Sequence, residues 1–161
     1  TTPSSTTERH SMSARRPYTK IIVHCTDTPP HMDVGVKEIR EWHTLPPPRG
    51  RGWRDIGYNY VIRRDGTVEL GRDTDRDGDT LDEIGAHAVG HNATSVGVVL
   101  VGGKPAKGRL SSNFTFRQLA ALMQLIEDLR EEIPTITEVI GHHDVDKGKT
   151  CPNFDVKEFL K

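Results

Sequence analysis

At 161 residues the chain is long enough to build one domain around a real core and too short for two of ordinary size. Apolar residues make up 34% and aromatics 6%, so part of the chain is expected to lie outside the core. A formal charge of −1, two cysteines and no long apolar run argue against a basic nucleic-acid binder, a disulfide-stapled scaffold and a membrane-spanning chain.

Residues 1–16 are rich in Ser and Thr and lack periodicity, which predicts a disordered arm or an expression remnant, with the folded domain at 17–161. No apolar stretch of signal-peptide character is seen there. Lys20 to His24 (K-I-I-V-H) reads as a buried strand. From Val34 to Leu45, Val36, Ile39 and His43 share a helical face, and Pro46, Pro47 and Pro48 stop that helix. A basic R-G-R-G loop follows. Gly57 to Arg64 is a second strand, Asp65-Gly66 a hairpin turn, and T-V-E-L-G the return strand. Asp73 to Glu83 is an acidic loop, and Ser95 to Gly102 is apolar enough on both faces for a central strand.

A helix is predicted over Phe116 to Glu132, opened by a Thr115/Gln118 capping box. Its expected buried stripe is Phe116, Leu119, Leu122, Met123, Ile126 and Leu129. Thr137 to Gly141 is a short strand delivering His142 and His143, and Asp155 to Lys161 a closing helix. Strands mixed with helices imply an α/β or α+β sandwich around one sheet.

Eight histidines are many for one domain, and their placement is informative. His24 ends a buried strand, His142 and His143 follow another strand end, and Cys151 lies shortly after in K-T-C-P. Strand ends place side chains at a sheet rim, where loops build sites. Two His and one Cys make a three-ligand zinc set with an open fourth position, as catalysis requires. Two other readings stay open at this point. His24 can be a satisfied core histidine beside a buried Cys151. Alternatively, Cys151 can be a nucleophile with His142 or His143 as its base, although Pro152 then offers no N–H for an oxyanion hole.

Six ordered blocks resemble the amidase-type phage lysozymes: I-V-H-C-T, V-G-V-K-E-I-R-E-W-H, D-I-G-Y-N-Y-V-I-R-R-D-G-T-V-E-L-G-R, G-A-H-A-V-G-H-N, S-V-G-V-V-L-V-G-G and G-H-H-D-V-D-K-G-K-T-C-P-N-F-D. These group with the type 2 N-acetylmuramoyl-L-alanine amidases and the peptidoglycan recognition proteins. The likeness covers nearly the whole chain from about Tyr18 onward. It implies a single mixed central sheet flanked by helices. It also implies one catalytic zinc, held by His24, His142 and Cys151, with His143 as the neighbour that must be told apart from His142. By the same resemblance Tyr58 and Lys149 are catalytic. Zinc would polarise the amide and acidify a water, Lys149 would stabilise the oxyanion, and Tyr58 would orient water or donate a proton. His87 matches a cleft histidine, read as contacting substrate or supporting the metal site. His43 reads as helix packing or surface, and Cys25 as structural, pointing away from the metal.

Two segments depart from the resemblance. D-T-D-R-D-G-D resembles the start of a calcium loop, with Asp73, Asp75, Asp77 and the Asp79 carbonyl as ligands, but Ile84 stands where a bidentate glutamate belongs. A solvated acidic loop is the plainer expectation. The P-P-P-R-G-R-G segment reads as a rim of the substrate groove, with arginines able to meet stem-peptide carboxylates.

The expected function is a zinc amidase cutting between N-acetylmuramic acid and L-alanine of bacterial peptidoglycan, as a phage or prophage endolysin in host lysis. It would be made in the host cytoplasm and reach the wall after membrane breach, as a monomer without a nucleic-acid partner. A non-catalytic peptidoglycan-binding module is the alternative, against which Cys151, Tyr58 and Lys149 argue. A glycosidase would need paired carboxylates facing one another, whereas the acidic residues here cluster in one loop. Some phage amidases of this type also inhibit a viral RNA polymerase; the near-neutral charge does not point to that partner.

Overall fold

The computed structural model of the protein describes residues 17–104 and 114–161. The expected N-terminal arm, 1–16, lies outside the described residues.

The first strand, β1 (Lys20–Cys25), is buried from Ile21 onward, as its unbroken apolar run requires for a strand covered on both faces. β4 (Ser95–Leu100) is buried at all six positions and pairs with β1 in parallel, His24 lying beside Val99. β5 (Glu138–Gly141) runs parallel to the other side of β1. β2 (Tyr60–Ile62) adds in parallel to β4, and β3 (Val68–Leu70) returns antiparallel to β2 across the Asp65-Gly66 turn. The sheet order is therefore β3-β2-β4-β1-β5, a mixed sheet with antiparallel pairing at one edge only.

Among the described residues, three helices cover this sheet. α1 (Val36–Thr44) packs Val36 and Ile39 on one face, against Val61, Val99 and Val101. α2 (Phe116–Glu132) and the short α3 (Val156–Phe159) cover the other, where Leu122, Ile126, Leu129 and Val156 meet Ile21, Val23, Val96 and Val98. Alternation along β1 thus sends Ile21 and Val23 under α2, and Ile22 to the opposite face beside Ala88 and Ile140. None of the described helices is long and apolar enough to cross a membrane.

α2 has the expected bounds, and the Thr115/Gln118 capping box forms. Its buried face differs from the expected stripe. Phe116 is 86% and Met123 44% exposed, while Gln118 is fully buried. The reason is polar. The Gln118 amide donates to the carbonyls of Ile62 and Val101 at the ends of β2 and the β4 segment. Its oxygen accepts from Thr115 N and Arg64. A buried amide satisfied at every polar position turns the helix to its own register.

Candidate metal centre

Three segments meet at the C-terminal ends of β1 and β5, where loops of an α/β sheet build sites. His24, the fifth residue of β1, is 1% exposed. His142 follows β5 directly, on a 3-10 turn (His142–Asp144) whose start is capped by Asp144 Oδ2 accepting from Gly141 N at 2.8 Å. Cys151 arrives on the loop beyond, held by His143 N donating to the Cys151 carbonyl at 2.9 Å. One ligand atom from each of His24, His142 and Cys151 lies within 4.8 Å of the others. Two imidazoles and a thiol, with no fourth protein donor in the group among the described residues, suit an open zinc site.

On an extended continuation of β5 the side chains of His142 and His143 would alternate. The pair sits on a tight turn instead, and the side chains still diverge. The His142 ring lies 4.5 Å from the His24 ring, centroid to centroid. His143 turns to Thr150 O at 3.3 Å and to Asp144 at 3.6 Å.

Cys151 is prepared to be a thiolate. Its sulfur accepts from Cys25 N at 3.0 Å. A hydrogen bond with the Cys25 thiol, then those with His142 and His24, hold its pKa well below the usual thiol range despite burial. The Cys25 thiol is correspondingly pushed up, first by that hydrogen bond and then by burial. Both cysteines are free, and Cys25, expected to point away from the metal, hydrogen bonds Cys151 through both its backbone N and its thiol.

The three residues border a cleft of about 660 Å³, which Tyr58, His87 and Lys149 also line. The Tyr58 ring is 5.1 Å from His24, and burial raises its phenol pKa, keeping it protonated. The segment before it is anchored by Asp55, which accepts from Ile56 N, Asp73 N and Arg40 Nε. Burial opposes the charge on Asp55, but these donors outweigh it and hold its pKa low.

Two cleft residues, His43 and Trp53, were not singled out for this role from sequence, whereas Arg51 was expected at the groove rim. His43 is buried, lies 5.5 Å from the Tyr58 ring and accepts from Gly57 N through Nδ1 at 2.9 Å. Burial, then Arg51 and Arg72, lower its pKa to about 4, so at neutral pH its single proton sits on Nε2. Arg51 stacks on Trp53 at 4.9 Å, and both line the cleft, as a groove rim formed by the R-G-R-G segment requires. The signal for His43 was its place on the buried face of α1. For Trp53 it was only its nearness to Tyr58 in sequence.

The calcium reading is not supported. The carboxylates of Asp73, Asp75 and Asp77, expected to ligate together with the Asp79 carbonyl, do not fall into one ligand group. They form two overlapping groups, Asp73 with Asp75 and the buried Glu83, and Asp75 with Asp77 and Asp82. The loop satisfies itself instead. Asp73 accepts from Asp77 N and Gly78 N, Asp77 from Asp79 N, and Asp79 from Leu81 N. None of these carboxylates lines the cleft.

Residues 14–154 match the family described as N-acetylmuramoyl-L-alanine amidase. The endolysin of Enterobacteria phage K11 is 46% identical over 147 residues, covering 91% of this chain and 88% of that protein. Among solved structures, the N-acetylmuramoyl-L-alanine amidase LysC from Clostridium intestinale URNW superposes with a TM-score of 0.68 at 28% identity, covering 91% of this chain and 85% of the other. Bumblebee PGRP-SA superposes with a TM-score of 0.66 at 25% identity, covering 89% and 80%.

Proposed function

The chain belongs to the N-acetylmuramoyl-L-alanine amidase family, and from that membership we propose a zinc-dependent reaction with the metal held by His24, His142 and Cys151. The activity is that of a phage peptidoglycan amidase, hydrolysing the bond between N-acetylmuramic acid and L-alanine. The observation that carries the zinc reading is the meeting of two imidazoles and a depressed-pKa thiol at the edge of a cleft.

When bound there, zinc supplies Lewis acidity to the scissile carbonyl and a nucleophilic water at neutral pH. The chain's residues do the rest. Lys149, exposed at the cleft, brings positive charge to the oxyanion that develops as the carbonyl is attacked. Tyr58 stays a phenol and donates a hydrogen bond beside His24. His43, with its proton on Nε2, offers a second neutral donor at the Tyr58 side. Arg51, braced on Trp53, meets carboxylates of the stem peptide. In the cell the chain acts as a phage or prophage endolysin. It is made in the host cytoplasm and reaches the wall after membrane breach.

Digestion of purified cell wall tests this. New amino groups without new reducing ends, lost on chelation and restored by zinc, are expected. Reducing ends would indicate a glycosidase, and binding with neither product a recognition module.

A further inference from the structure

His87 belongs to the cleft, yet neither of its ring nitrogens is available to substrate. Nδ1 is 2.9 Å from His24 Nε2, and Nε2 is 3.4 Å from the Ser95 hydroxyl. We propose that His87 is a positioning residue: a directed hydrogen-bond chain from Ser95 through His87 fixes His24 in the tautomer that presents Nδ1 to the metal. This rests on the zinc reading above and deepens it.

The direction of the chain follows from counting protons. Ser95 Oγ donates its one proton to the His91 carbonyl at 2.6 Å. Toward His87 it can therefore only accept, so His87 carries its proton on Nε2. The Nδ1 of a neutral ring is then a lone pair, and it accepts from His24 Nε2–H. That leaves the Nδ1 lone pair of His24 for the metal, since a ligating imidazole must be neutral. Each link decides the next, and the His91 carbonyl sets the first.

The rest of the chain holds His87 in this arrangement. Asn92 Oδ1 accepts from both His87 N and Ala88 N at 2.8 Å, fixing the backbone of the loop. The ring lies against two glycines. A Cβ on Gly97 in β4 would lie 2.5 to 2.8 Å from ring atoms of His87, and one on Gly85 2.8 Å from its Cδ2. A β-branched residue, otherwise favoured in a central strand, would expel the ring from this slot. A partner that orients a metal-binding histidine in this way is worth 10- to 100-fold in metal affinity, to an order of magnitude.

The test measures zinc affinity of the full chain by competition with a chromophoric chelator, alongside thermal midpoints of the metal-free forms. His87→Ala is expected to bind zinc about 10- to 100-fold more weakly than the parent. His87→Asn places an amide oxygen near the Nδ1 position, keeps an acceptor for His24 and is expected to recover most of the loss. The tautomer is read independently by long-range proton–nitrogen NMR on the zinc-loaded parent, where His24 should show Nδ1 ligated and Nε2 protonated. Equal affinity of His87→Ala and parent, no recovery in His87→Asn, or an Nε2-ligated His24 would each overturn the proposal while leaving the zinc reading intact. A parent chain that takes up no zinc would remove both.

Discussion

At the residue scale, burial decides what the polar groups of the cleft can do. Tyr58 is kept protonated by burial, so its contribution is a hydrogen bond rather than a charge. Tyr58→Phe removes that donor and leaves the ring against His24. It is expected to lower kcat by about 10²- to 10³-fold, the usual effect of losing one transition-state donor, with zinc content and KM little changed. A steady-state assay with metal analysis checks this, and an unchanged kcat would make Tyr58 a packing residue. His43 is the clearer case of a residue whose role sequence hid. It lies on the apolar face of α1, and nothing in the spacing shows that its ring reaches Tyr58 from another segment. Its folded pKa, about 4, lies below the ordinary histidine value of 6.5, mainly through burial. The unfolded chain therefore binds the extra proton first as pH falls. Stability from this group is complete above about pH 6.5, declines through the window below it, and is gone below about pH 4. In metal-free protein, His43→Gln should flatten the fall of the thermal midpoint between pH 6.5 and 4. A slope as steep as the parent's would mean that other groups carry it. By contrast the meeting of His24, His142 and Cys151 at one rim was legible, because two strand ends and K-T-C-P bring them there.

At the scale of elements, boundaries were easier to read than faces. α2 begins and ends where its capping box and apolar run indicate, because both are local signals. Its orientation depends on what the sheet offers. Apolar residues occur on most sides of this helix, at Phe116, Leu119, Leu122, Met123, Leu125, Ile126 and Leu129, so periodicity alone does not choose. Ile62 and Val101 present carbonyls that an amide can meet, and this brings Gln118 inside. A contrast follows between residues that periodicity ranks the wrong way. Gln118→Leu should cost about 2 kcal/mol, since it deprives buried groups of their partner. Phe116→Gln, at an 86% exposed position, should stay within about 0.5 kcal/mol of the parent. Urea denaturation reads both; equal losses, or a larger loss at Phe116, would refute the account of the helix register. Neither change touches the cleft, so kcat is expected to hold.

At the scale of the whole molecule, the sheet order was the least legible feature. Hydrophobic runs marked β1 and β4 as central, but pairing β4 and β5 to either side of β1 depends on contacts between segments far apart in the chain. The same long-range closure builds the candidate metal centre: Cys25, next to His24, and Cys151 are 126 residues apart and hydrogen bonded. A ligand that joins such distant segments binds the folded chain far better than the unfolded one. Zinc should therefore act on global stability as well as on chemistry. At a free zinc concentration a hundred times its dissociation constant, linkage adds about 2.7 kcal/mol. For a domain of this size that corresponds to a rise in thermal midpoint on the order of 5–10 °C over the chelated form. The rise should grow with the logarithm of zinc concentration, since each tenfold increase adds about 1.4 kcal/mol. Cys151→Ala removes one of the three donors and should abolish both the concentration dependence and the amidase activity. An active Cys151→Ala protein with the parent's zinc response would reassign the third ligand. A parent midpoint indifferent to zinc would mean that the folded chain does not close this site around the metal.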